Sequence, residues 1–184
     1  MHYMTRSTFC HLAVVLFAFA LRVDAQSPSA NPATSQTPPP PACVAPEFRQ
    51  FDFWLGRWKV TNPKGVQVGT SEITRVSEGC AVRERWISAR GQEGTSLNYY
   101  DQSNHQWHQD WVGADGTILH LHGGLKDGAM VLTDEEPGAK SSVISQISYT
   151  PLPDKKVKQE WKLSKDQGKT WQTSFLGTYE KAGD

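Results

Sequence analysis

From residue 57 onward, apolar and polar side chains alternate in short runs, and no stretch keeps a helical period. The runs read as strands near 57–62, 66–76, 81–88, 95–101, 106–112, 117–123, 129–133, 142–150, 156–164 and 171–179. Turn-forming residues break them: Asn62-Pro63-Lys64-Gly65, Glu78-Gly79, Gly113-Ala114-Asp115-Gly116, Lys126-Asp127-Gly128, Pro137-Gly138 and Pro151-Leu152-Pro153-Asp154. Closely spaced turns with no crossover helix mean antiparallel neighbours joined by hairpins. Ten such strands laid out as an open sheet would expose two long edges, and closure removes them. The pattern predicts an all-β fold, an antiparallel up-and-down β-barrel of about ten strands. Ahead of it, Phe51, Trp54 and Leu55 lie at helical spacing. They predict a short N-terminal helical cap over one barrel end.

The same pattern divides the chain into three parts. Residues 1–25 read as a signal peptide: Arg6 supplies the positive start, Leu12 to Leu21 is an apolar run, and Val23-Asp24-Ala25 offers small side chains for cleavage after Ala25. The run is shorter than the roughly 20 residues that span a bilayer, so a retained anchor is the weaker reading. No transmembrane segment is expected in the mature protein, which should be secreted or periplasmic. Residues 26–42 hold six prolines and little apolar bulk, and read as a disordered Pro-rich linker. Residues 43–181 form the β-barrel domain.

Composition sharpens this picture at three points. Seven Trp, all between 54 and 171, favour a sheet with large rings in its core. A formal net charge of zero provides no field to attract nucleic acid, so no nucleic-acid partner is expected. Two cysteines remain after residue 25, Cys43 and Cys80. An even count in an oxidising compartment predicts one disulfide between them, with two free thiols as the alternative.

Strand parity singles out one set of polar residues. Val82, Glu84 and Trp86 share a face; so do Trp107, Gln109 and Trp111; so do Val157, Gln159, Trp161 and Leu163. The opposite faces carry Arg83 and Arg85, or Lys158, Glu160 and Lys162, which belong in water. Glu84, Gln109 and Gln159 should therefore point inward beside Trp86, Trp107, Trp111 and Trp161. An inward polar group without a partner costs about 1–3 kcal/mol. The set reads either as a ligand site or as an internal hydrogen-bond and water network. Burial should raise the pKa of Glu84.

The histidines depend on one hairpin. A three-residue loop at Gly113–Gly116 pairs Trp111 with Leu119, Gln109 with Leu121, Asp110 with His120 and His108 with His122. This register puts the histidines on the outer face; a two-residue loop would turn His120 and His122 inward. Three His and an Asp have zinc- or copper-binding chemistry. A solvated polar face is the favoured account of them, and no metal or other cofactor is expected.

Phe51-Asp52-Phe53-Trp54-Leu55-Gly56-Arg57-Trp58, Gly79-Cys80 with Glu84 and Trp86, and Trp107-x-Gln109-x-Trp111-Val112 resemble a group of secreted bacterial proteins of uncharacterised function. The resemblance spans residues 43 to about 180. Gly56-x-Trp58 is also similar to the opening motif of lipocalins, which implies a lipocalin-like barrel. Ser164-x-Asp166-x-Gly168-x-Thr170-Trp171 resembles the Asp-box hairpin of sialidase propellers. A single copy implies a structural turn in which Asp166 accepts turn amides, Gly168 takes positive φ and Trp171 packs onto the core.

These readings converge on a secreted binding protein that holds a small, partly apolar molecule inside the barrel. The site residues would be Glu84, Trp86, Trp107, Gln109, Trp111, Gln159 and Trp161. The alternatives are a barrel enzyme using Glu84 as general acid or base, and a structural or interaction module of the cell envelope.

Overall fold

The alternating runs become ten antiparallel strands in the computed structural model, which describes residues 43–134 and 143–183. They are β1 (Gly56–Thr61), β2 (Gln67–Val76), β3 (Ala81–Ser88), β4 (Glu93–Asp101), β5 (Gln106–Gly113), β6 (Ile118–Lys126), β7 (Ala129–Thr133), β8 (Ile144–Pro151), β9 (Val157–Ser164) and β10 (Gln172–Lys181). Each strand pairs with its neighbours in sequence, and β1 pairs with β10, so the meander closes into a barrel. The signal-peptide and linker readings lie outside the described residues, as do Pro137-Gly138 and the start of the predicted 142–150 run.

Observed and predicted strand ends agree within about two residues except in β6, which continues to Lys126. It does so because Lys126 pairs with Ala129 across Asp127-Gly128, both at positive φ (50° and 79°). Two left-handed residues make the tight turn whose twist matches the flanking strands. The β5–β6 hairpin has the predicted register, with Trp111 opposite Leu119 and His108 opposite His122. Gly116, at φ 83°, takes the left-handed position of its three-residue loop.

The N-terminal cap consists of two 3-10 turns, Pro46–Arg49 and Asp52–Trp54. Phe51 and Trp54 are completely buried, whereas Leu55 is half-buried. Phe51 stacks on Trp54 (4.9 Å) and meets Trp107 (5.6 Å) and Tyr149 (5.0 Å); Trp54 lies 4.5 Å from Tyr149. These rings plug one end of the barrel. Trp58 adds to the plug and donates its indole N–H to Trp54 O at 2.8 Å.

Two ties hold the cap in place. Cys43 and Cys80 form a disulfide, and the Arg49 guanidinium donates to Cys43 O (2.6 Å) and Gly79 O (2.7 Å). No helix among the described residues is long and apolar enough to cross a membrane.

Candidate ligand site in the open end of the barrel

Strand direction sets depth in the barrel. The cap closes the end where β3 and β5 begin, so Glu84, Trp86, Gln109 and Trp111 lie progressively toward the other end. There the rings open out, with Trp86 meeting only the edge of Phe175 at 6.1 Å. Trp86, Trp111, Trp161 and Phe175 are each half-buried and surround a cavity of about 270 Å³. Leu119, Ile147 and Ser174 complete its walls, and Glu84, Gln109, Gln159 and Tyr179 line its polar part.

Glu84 and Gln109 are only 3% and 1% exposed, and Gln159 is half-buried. Arg83 and Arg85 lie outside, as parity required. Six of the seven predicted site residues share the cavity lining; Trp107 does not. Trp107 is 1% exposed, packs against Phe51, and donates its indole N–H to Gln50 Oε1 at 3.1 Å. It lies four positions before Trp111, roughly 13 Å along a strand. Parity assigns a face but not a height, so Trp107 belongs to the plug.

The polar residues are bound into one network. Ser71 Oγ donates to Glu84 Oε1 (2.8 Å) and Ser96 Oγ to Glu84 Oε2 (3.1 Å). Asn98 Nδ2 donates to Val82 O (3.1 Å) and Ser96 Oγ (3.0 Å). Gln109 Nε2 donates to Asn98 Oδ1 (2.6 Å) and to the Tyr149 hydroxyl (2.9 Å). The Tyr179 hydroxyl donates to Gln159 Oε1 at 2.5 Å. The indole N–H of Trp161 is buried and has no acceptor among the described residues, which leaves one donor for water or a ligand.

Burial dominates the electrostatics. Desolvation pushes the Glu84 carboxyl from 4.5 up to about 7, against the lowering effect of hydrogen bonds from Ser71 and Ser96. Desolvation, followed by the charge of Glu84, also drives Tyr149 and Tyr179 well above the ordinary tyrosine value.

Glycines make room for the rim. A Cβ on Gly69 of β2 would come within 2.5 Å of the benzo edge of Trp86. One on Gly94 of β4 would collide with the same edge of Trp111. Each indole therefore lies across a bare stretch of the neighbouring strand. On β10, a register shift between Thr173 and Phe175 brings Ser174 and Phe175 together at the mouth.

Tyr149, Tyr179, Ser71, Ser96 and Asn98 were missed in the sequence reading. The inner face of β4 runs Gly94, Ser96, Asn98 while Thr95, Leu97 and Tyr99 face out, so hydropathy alone points the wrong way there. The pairs Ser71↔Trp86 and Asn98↔Gln109, read from hairpin registers, would have placed two of these residues.

Two other constellations lie elsewhere. Asp110 and His120 approach to 2.6 Å on the outer face, and His108 stacks on Tyr99 at 5.3 Å. Among the described residues no group of three or more His, Cys, Asp or Glu side chains is arranged to hold a metal ion. The Asp-box-like turn is as expected at Asp166, which accepts from Thr170 N (2.8 Å) and Thr170 Oγ1 (2.6 Å), and at Gly168, with φ 80°. These bonds draw the Asp166 carboxyl down to about 2. Trp171 differs from expectation: it is half-buried, outside the core cluster, and donates to Gly168 O at 3.0 Å. Its indole closes the turn instead of anchoring the hairpin to the core.

No protein-family model matches this chain, and no curated protein matches it either.

Proposed function

We propose that this protein binds a small, partly apolar molecule in the open end of its barrel. One observation carries the reading: a ring-walled cavity of about 270 Å³ closes onto a buried polar network at Glu84, Gln109 and Gln159. Apolar walls with a few convergent polar groups are the usual makeup of a ligand site. Trp86, Trp111, Trp161 and Phe175 would enclose the apolar body, and Glu84, Gln109, Gln159 and Tyr179 would meet the polar end. Export of the chain is part of the proposal. It rests on the signal-like residues 1–25, and the Cys43–Cys80 disulfide accords with an oxidising compartment.

Native mass spectrometry of protein purified without denaturation tests the binding reading. A retained small molecule, released by Trp111→Ala, is expected. Wild-type protein that carries nothing, and whose tryptophan fluorescence ignores every small aromatic probe, would refute it.

One feature favours a second reading. A carboxyl near 7 suits general acid–base catalysis at neutral pH. The titratable groups beside it are Tyr149 and Tyr179, both held protonated. The hydroxyls bonded to Glu84, Ser71 and Ser96, are buried and outside the cavity lining, so binding is the stronger reading. Turnover of the captured molecule, abolished by Glu84→Gln, would reverse that order.

A further inference from the structure

The donors around Glu84 are set for a carboxylate. Ser71 and Ser96 each give a hydroxyl proton to one of its oxygens, while the Tyr179 hydroxyl gives its proton to Gln159. The direction of the Ser96 bond is imposed from behind. Asn98 Nδ2 must face the Val82 carbonyl, which accepts only a proton, and the same nitrogen donates to Ser96 Oγ. The Ser96 proton is then left for Glu84. Gln109 reinforces the orientation by donating to Asn98 Oδ1. A protonated carboxyl would have to turn Ser71 from donor to acceptor, whereas the Ser96 proton stays directed at Glu84.

Among the described residues this carboxylate meets no counter-charge. The residues lining the cavity include no Lys, Arg or His. Of the strands that bring polar groups to it, β2 and β4 present Ser71 and Ser96. β8 and β10 present Tyr149 and Tyr179, both neutral at physiological pH. Toward the mouth stand the rings of Trp86, Trp111, Trp161 and Phe175, a ring type whose π-systems attract cations.

We propose that the ligand is a small organic cation, a protonated amine whose ammonium pairs with Glu84 and whose apolar body lies among the four rings. This rests on the ligand-binding reading above and narrows it to one chemical class. A carboxylic acid would bring a second negative charge against Glu84 with no cation to meet either. A neutral molecule would leave the carboxylate uncompensated.

Three probes of similar size separate the classes: 2-phenylethylamine, 2-phenylethanol and 3-phenylpropanoate. Each is titrated into the full chain by calorimetry at pH 6 and pH 8, with tryptophan fluorescence as a second readout. At pH 8 the amine should bind at least tenfold tighter than the alcohol, and the acid weakest. The amine stays protonated across this range, so its affinity should follow the ionisation of Glu84 and rise about tenfold from pH 6 to pH 8. Binding of the alcohol should stay flat. Glu84→Gln should abolish both the preference for the amine and its pH dependence; the wild-type pH series stands alone if that variant does not fold. Alcohol or acid binding as tightly as the amine, or amine affinity flat in pH, overturns the cation assignment and leaves the ligand site intact. No binding by any probe, with unchanged fluorescence, overturns both.

Discussion

Replacing Glu84 with Gln keeps the shape of the side chain and removes its titration, so it exposes what the buried carboxyl does to stability. The carboxyl is raised in the folded protein, from 4.5 to about 7, chiefly by desolvation. The sign follows from proton binding. Between these two values the folded protein holds a proton that the unfolded chain has released, so stability falls as pH rises. It is highest below about 4.5 and fully reduced above about 7. Integrated from pH 5 to pH 8, the loss is about 2–3 kcal/mol, most of what the whole interval supplies.

Glu84→Gln lacks this slope. Urea unfolding of wild type and variant at several pH values gives the difference curve, in which the exposed histidines cancel because both proteins carry them. The variant should gain about 2–3 kcal/mol relative to wild type between pH 5 and pH 8. Parallel curves would refute the claim that a buried, uncompensated carboxyl sits at position 84.

Three further outcomes test the division between plug and cavity. Trp107→Ala should destabilise by about 3–5 kcal/mol, as for other fully buried rings, whereas Trp111→Ala should cost less stability but weaken probe binding; urea midpoints and fluorescence titrations distinguish them. Gly94→Ala should drive the Trp111 ring off the wall, shifting its fluorescence and weakening probe binding, and unchanged emission and affinity would contradict the contact. Removing the Cys43–Cys80 bridge, which spans 37 residues, should cost about 4 kcal/mol by loop entropy, measured by unfolding with and without reductant.

Much of the site was legible because a barrel obeys a simple rule. Charged Arg83 and Arg85 marked the outside of β3, so Glu84 had to be inside, and the same logic placed Gln109 and Gln159. The register across Gly113–Gly116 followed from keeping Trp111 opposite Leu119 and Gln109 opposite Leu121. Where the inner face was polar and small, as at Ser96 and Asn98, alternation carried no signal. These residues became legible only through their partners, Glu84 and Gln109.

By itself the sequence determined the strands, their order, the cap and the inward face of Glu84, Gln109 and Gln159, because turn chemistry and period-2 burial are local properties. The tertiary structure decided depth. It sent Trp107 into the plug and Trp111 to the rim, although both lie on one face of one strand. It also decided that Tyr149 and Tyr179, distant in sequence, close the polar network around Glu84. The physical reason is that height in a barrel depends on the stagger of all ten strands and on what fills the closed end, and neither is written in any single strand.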